Sequence, residues 1–571
     1  MNFTELTKTR KVTLWHIEST LIMITYPTDG AALPLWQTTL LLAPAVLAGA
    51  AALLAGRSDP VGSSVDARTR SNAAAWCWAR WASAAGLVFA ALSTAIVLFG
   101  MGGSGFGLRA DIVGGLMSLL VAFVGWVIVR YSQPYLDGEL AQRHYVRWLM
   151  ATLAAVGIVV TTNHVAVLAL AWMGTSMALH RLLTFFSDRS AAVVAAHKKF
   201  IVGRAADLCM LGACVLFTVS FQTLHIDQIM ARAAAEDHLT TAAQAGVLLV
   251  VMAALLKCAQ LPFHGWLIQV MEAPTPVSAL LHAGIVNLGG FVLIRFAPLV
   301  SEVPAAQALL VAAGTATAVL AALVMTTRIS VKVMLAWSTC AQMGFMLMQC
   351  GLGAWDMALL HLLAHSLYKA HAFLSAGGAV RRATLAQMTP RASAPGFAGL
   401  AAGILIAVSM TLVAKVVWGV LMPGITVSPA FWVLGGIVAL ALVPLVHAQS
   451  PRMGGWWLAS LVLGAFGVSF AYIGLHLLFS TWVLPTTAQP PAVLWISVLV
   501  AFVLLFAVQS LIRIAPSSAL VRGLYPWFYG GLFLDEKFNN IAFSVWPPPA
   551  PKPRFARLPE SLTWNSHEQT R

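Results

Sequence analysis

The chain has 571 residues, of which 59% are hydrophobic and only 9% charged, and its formal net charge is +14. A soluble globular protein carries roughly 25% charged residues, so a chain this long and this poor in charge cannot cover a water-facing surface; its solvent is membrane. Nucleic-acid binding is excluded as well, because the lysines and arginines fall between apolar stretches instead of forming a basic patch interleaved with aromatics.

In chain order, residues 1–32 carry Lys8, Arg10 and Lys11 before a mildly apolar stretch broken by His16 and Glu18, and read as a leader or an N-terminal extension. A transmembrane helix needs about 20 apolar residues. On that basis the sequence predicts about fifteen spans, near 33–55, 82–100, 112–130, 146–161, 164–183, 200–222, 243–260, 275–298, 306–327, 333–352, 355–380, 398–421, 430–448, 456–479 and 491–513. The expected class is an all-α polytopic membrane protein of 14–15 helices. Many of the twenty tryptophans, among them Trp36, Trp76, Trp78, Trp81, Trp148, Trp456 and Trp457, fall at span ends, as an interfacial aromatic belt requires.

The connecting loops alternate. Those with Arg57, Arg68, Arg70 and Arg80, with Arg130, Arg143 and Arg147, with Arg189, Lys198 and Lys199, and with Arg381, Arg382 and Arg391 are basic, and the intervening loops are neutral or acidic. Basic loops mark the cytoplasmic side, which predicts a cytoplasmic C-terminus. The organisation follows: N-terminal helices over 33–145, one set of five spans over 146–298, a second over 306–448, C-terminal helices over 456–513, and an interfacial, aromatic- and proline-rich tail over 514–571. Because five is odd, two such sets sit in the membrane with opposite orientation, an inverted-repeat arrangement used by transporters.

Titratable groups recur inside the apolar stretches. A lysine at a helix centre costs roughly 2.5–3.5 kcal/mol to insert, so it persists where it faces the bundle interior and is used. Lys257 ends one span, five residues before Pro262, which removes a backbone donor and breaks the helix; Lys415 lies well inside another span. His361, His365 and Lys369 stand at steps of four and share one helix face. Each lysine could instead snorkel to the interface, but three titratable groups in one stripe are harder to dismiss. Burial and neighbouring charges tune such groups, and a row of them can hand on a proton. His361 and His365 have a spacing that could hold a metal, yet no third ligand stands nearby. The six cysteines show no CxxC, and the chain has no Walker A stretch and no GxGxxG after a strand, so no cofactor is expected in this chain.

Two stretches carry a family resemblance. LKCAQLPFHGWLIQVMEAPTPVSALLHAG, with Lys257, Pro262, Pro274, Pro276 and His282, resembles the proton-channel signature of antiporter-like subunits of the complex I and Mrp type; RISVKVMLAWSTCAQMGFM followed by HLLAHSLYKAHAFLSAG resembles the second signature. The resemblance covers about residues 110–450 and implies an antiporter-like fold. It assigns Lys257 and His282 to a first half-channel, Lys332, His361, His365 and Lys369 to a central relay, and Lys415 to the end of a second half-channel. The family's usual glutamate in the fifth span is absent, since Trp172 and Gly174 flank Met173; Asp207, with Arg204, aligns with another family acid and would partly compensate. WMGTSMALHRLLTFF, AAHKKFIVGRAAD and LYPWFYGGLFLDEKFN are further similar to the membrane subunit of the Dab inorganic-carbon accumulation complexes. That resemblance implies a bacterial inner-membrane subunit that conducts protons, paired with a large cytoplasmic zinc-binding partner similar to carbonic anhydrase, the zinc being the partner's. A complex I-like or Mrp-like pump or exchanger, and a passive membrane anchor, are the alternatives.

Overall fold

The computed structural model describes residues 32–56, 65–388, 397–422, 429–447, 456–483 and 490–548. The chain starts with α1 (Leu35–Ala55) and α2 (Val65–Leu98), then a short antiparallel hairpin, β1 (Gly103–Gly105) and β2 (Leu108–Ala110), and α3 (Ile112–Tyr135). Next come α4 (Gln142–Thr161), α5 (Val165–Leu183), α6 (Ser190–Phe221), the short α7 (Ile226–Ala234), α8 (Thr241–Lys257), α9 (Gly265–Gln269), α10 (Thr275–Ala283), α11 (Leu288–Arg295) and α12 (Ala297–Ser301). They are followed by α13 (Pro304–Val324), α14 (Val331–Gly351), α15 (Trp355–Leu374), α16 (Ala379–Gln387), α17 (Phe397–Leu421), α18 (Pro429–His447), α19 (Trp456–Ser480) and α20 (Ala492–Ile514), and by two tail helices, α21 (Ala519–Tyr529) and α22 (Leu534–Val545).

Among the described residues 12 helices are long and apolar enough to cross a membrane, counting α10 and α11 as one. The three other predicted spans are also helical: α8 has only 17 residues, the apolar stretch of α18 is Ala430–Val443, and α15 is diluted by its histidines and lysine. The multi-pass, all-α expectation is met.

Two expectations are corrected. Lys198, Lys199, Arg143, Arg147, Arg68, Arg70 and Arg80 are not loop residues: α2, α4 and α6 run several residues past their apolar segments and carry these side chains inside the helices. For α6 the cause is visible, since the alanine-rich 190–196 stretch favours helix and both lysines find oxygen partners. The hairpin at 103–110 was not foreseen; Gly107, with φ 72°, supplies its turn. The expected leader at 1–32, except its last residue, and the tail beyond residue 548 lie outside the described residues.

Local chemistry sets the helix ends. Asp111 caps α3 by accepting the Gly114 N–H at 2.8 Å, and Pro304 opens α13, where its missing N–H has no cost. α8 stops at Lys257. The segment 258–264 then runs without regular helix through Ala259, whose φ is 51°, and a cis Leu261–Pro262 peptide. Irregular backbone at this depth is tolerated only where protein surrounds it, and here Leu261 N–H donates to Thr317 Oγ1 of α13 at 3.2 Å. α13 and α14 meet backbone to backbone: a Cβ added at Gly344 would stand 2.6 Å from the Gly314 carbonyl oxygen. Small residues at such a contact let two membrane helices approach closely, and α14 in turn positions the α15 stripe.

The tail helices lie across the face that carries the basic helix ends. Phe528 O of α21 accepts from Arg328 Nη2 at 3.1 Å, after α13, while Asp535 of α22 takes Lys198 of α6 in both carboxylate oxygens at 2.9 and 3.0 Å. Between them the chain kinks through Gly531, Leu532 and Phe533, all with positive φ of 63°, 62° and 55°.

Candidate functional site

On α5, Trp172, Thr175 and Ser176 stand at i, i+3 and i+4 and so share a face. That face receives Lys257, which arrives from the end of α8. Its ammonium donates to Thr175 Oγ1 at 2.8 Å, to Ser176 Oγ at 3.0 Å and to Trp172 O at 3.4 Å, and lies over the Trp172 ring at 4.4 Å from its centroid. An ammonium has three donors, and all three find neutral acceptors. Lys257 is 5% exposed. The family's glutamate position, Met173, is one residue from this cradle, so hydroxyls and a π-face stand where a carboxylate was expected to act. Asp207, offered above as the compensating acid, pairs with Arg204 at 2.5 Å; it reaches Lys257 through its field and makes no hydrogen bond to it. Buried Lys199 donates to Ser176 O, so two lysines meet on Ser176.

A second group forms between α10, α14 and α15. Lys369, fully buried, donates to Ser338 Oγ at 2.8 Å and to Leu335 O at 3.3 Å. One turn earlier on α15 is His365 and one turn before that His361, with ring centroids 5.9 Å apart. His282 closes the group from α10, stacked on Phe373 at 4.3 Å. Neither nitrogen of His282 or of His365 has a hydrogen-bond partner. Asn287 joins α15 through Ser366 Oγ at 2.6 Å.

Lys332 stands apart from this group at the start of α14, half-buried, and donates to Thr275 Oγ1 at 2.9 Å. Pro274 and Pro276 flank that threonine and start α10. Pro262 sits in the break after α8. Lys415 is more distant: α17 packs on α18 and α19, and α19 on α15. Half-buried, Lys415 places its ammonium 3.7 Å from the Trp432 ring centroid. The structure thus joins His282, His361, His365 and Lys369 in one group, gives Lys257 a separate cradle, and leaves Lys332 and Lys415 outside both.

Several functional-looking residues escaped the sequence reading. Thr175 and Ser176 carry no charge to draw notice, although their place beside the missing glutamate was a signal. Lys198 and Lys199 were read as loop. Asp356, in the first turn of α15, contacts His476 of α19 through Nδ1, a pairing between residues with no local signature.

A family model described as NADH:quinone oxidoreductase/Mrp antiporter, TM, matches residues 162–394, which contain Lys257, His282, Lys332 and the α15 stripe. A protein of Hydrogenovibrio crunogenus named probable inorganic carbon transporter subunit DabB is 42% identical over 458 residues, covering 77% of this chain and 84% of that protein. The chain belongs to the DabB family. A second DabB protein, named probable inorganic carbon transporter subunit DabB2 of Halothiobacillus neapolitanus, is 37% identical over 78% of this chain and 82% of its own length. The DabB fold described here is similar to that in the structure of the Mrp complex from Dietzia sp. DQ12-45-1b, with a TM-score of 0.51 and 24% identity over 90% of this chain and 58% of that one. The chain is therefore an antiporter-like, multi-pass membrane transport subunit of DabB type.

Proposed function

We propose that this chain conducts protons as the membrane subunit of an inorganic-carbon accumulation complex. In this reading the flux drives hydration of CO2 to bicarbonate by a cytoplasmic, zinc-binding, carbonic-anhydrase-like partner. The observation that carries the proposal is the way Lys257 and Lys369 are held. Both are buried, and among the described residues both bond only to hydroxyl and carbonyl oxygens. An ammonium in a direct buried ion pair cannot lose its proton without stranding a carboxylate, which costs several kcal/mol. One held by neutral acceptors leaves nothing stranded and can cycle between charged and neutral forms. His282, His365 and His361 extend the Lys369 site with free ring nitrogens, the groups a relay needs.

The rest of the reading rests on further support. The two sets of five spans, with Lys257 and Lys415 each on the fourth helix of its set, fit two inverted half-channels. The basic helix ends and docked tail fit a cytoplasmic face in a bacterial inner membrane, and the names of the DabB relatives supply the inorganic-carbon role. The chemistry of CO2 belongs to the partner and that of the proton to this chain.

The test is proton uptake by liposomes containing the purified complex, read by an internal pH dye. Lys257→Met and Lys369→Met should each lower uptake at least tenfold while the chain still assembles. Native uptake in both variants refutes conduction and leaves a passive anchor. Uptake that requires sodium favours an exchanger. Co-purification of a zinc-bearing soluble protein tests the partner separately.

A further inference from the structure

The Trp172, Ser176 face of α5 continues for one more turn to His180, again a step of four. There it meets a cavity of about 300 Å3, open on one side, bounded by His180 and Thr184 of α5, His197 and Phe200 of α6, and Trp546 and Pro547 just after α22. A water molecule has about 30 Å3 of liquid volume, so the cavity holds several. His180 Nδ1 is buried without a hydrogen-bond partner. His197 Nε2 lies 2.9 Å from Trp546 O, and the Trp546 indole stands edge-on to both His197 and Phe200, at 5.8 and 5.4 Å. One turn back along that face, Ser176 receives two lysines: Lys199 on its carbonyl and Lys257 on its hydroxyl.

We propose that this cavity is the vestibule through which Lys257 exchanges protons with water on the basic face, with His180 as the titratable group at its inner end, Lys199 as the carrier to Lys257, and the Trp546 segment of the tail as its roof. The inference rests on the conduction reading above. Each transfer balances. A hydronium arriving from the basic face protonates the His180 imidazole and is left as water; the imidazolium passes that proton to a neutral Lys199 amine and returns to imidazole. Lys199 passes it to a neutral Lys257 amine, and the reverse order releases it. No carboxylate is consumed, which is how this chain can work without an acid at Met173. His197 has a different part: its bond to Trp546 O fastens the roof and makes it a positioning residue.

The experiment uses the assembled complex in inverted membrane vesicles, whose basic face is outward, and in right-side-out vesicles. His180→Gln and His180→Asn should lower proton flux at least tenfold with normal assembly. Thr184→Cys should be modified by a membrane-impermeant, positively charged methanethiosulfonate in inverted vesicles only, and flux should then fall at least threefold relative to the same vesicles before treatment. Native chain, which has its own cysteines, takes the same reagent as the control. Lys369→Met is run alongside. If it conducts normally the conduction reading itself fails. If it is dead while both His180 variants conduct normally, the vestibule proposal alone is overturned. Failure of Thr184→Cys to react from the basic side, or full flux after it has reacted, also overturns the vestibule, since a merely structural His180 would predict neither access nor block.

Discussion

Asp535→Asn isolates the contact that holds the tail. The Lys198 side chain is completely buried and Asp535 is 23% exposed, with both carboxylate oxygens within 3.0 Å of the ammonium. Two unit charges about 3 Å apart at an effective dielectric near 20 attract by about 5 kcal/mol. Removing one partner of a buried pair costs about 3–5 kcal/mol because the other is left uncompensated. Discounting for the exposure of Asp535 leaves about 2–3 kcal/mol, or roughly 30–150-fold in the ratio of docked to undocked tail. Gln269 Nε2, 2.9 Å from Oδ2, retains an acceptor in the asparagine variant, so the loss isolates the charge. The assay is amide hydrogen exchange of the full chain in lipid nanodiscs, read over residues 534–545. Exchange there should accelerate by more than tenfold, with residues 331–351 unchanged as an internal reference. Lys198→Met combined with Asp535→Asn should recover much of the protection, since no buried charge then remains unpaired. Unaltered exchange at 534–545 in Asp535→Asn would mean that the Lys198–Asp535 pair does not hold the tail.

Two other predictions concern stability. Burial by itself pushes the Asp111 carboxyl up, but the Arg295 and Arg109 guanidiniums and the Gly114 N–H outweigh it and hold it below the usual carboxylate value of 3.8. A depressed carboxylate stabilises the fold above its unfolded-state pKa, and that contribution disappears as pH falls through the lower native value. Thermal unfolding in detergent should therefore show Asp111→Asn with a lower Tm than native at pH 7 and a gap that narrows below about pH 4; parallel curves from pH 7 to 3 contradict this. Gly344→Ala places a methyl 2.6 Å from Gly314 O and 2.7 Å from Ala318 N; forcing extra volume into a closed contact costs about 1–3 kcal/mol. It should lower Tm, whereas Gly464→Ala, with open space at its Cβ position, should leave it within a degree or so.

The spans were legible because membrane insertion depends on summed apolarity over about 20 residues, a property no tertiary contact is needed to read. Lys257, Lys369 and their neighbours were legible for the opposite reason: each is a costly exception within such a run. Lys198 and Lys199 were misread because a lysine near a span end normally snorkels, and nothing local announces that Asp535, 337 residues later, and the Ser176 carbonyl take them inside. The Lys257 cradle shows the same limit. Thr175 and Ser176 are ordinary helix residues until α8 delivers an ammonium to them, and the acid expected to take that role, Asp207, is occupied by Arg204. His180 could have been found by extending the Trp172–Ser176 face one turn; His197 could not, because its partner is the backbone of Trp546.

The kink at 531–533 has a mechanical consequence. α21 is tied to Arg328, just after α13, and α22 to Lys198 of α6, so the tail works as a tie rod between the two. Leu532 and Phe533 occupy a left-handed conformation that costs L-residues roughly 1–2 kcal/mol each. Straightening the kink would release that energy by lengthening the rod, so that a pull on the tail would act on α6 and on the end of α13 at once.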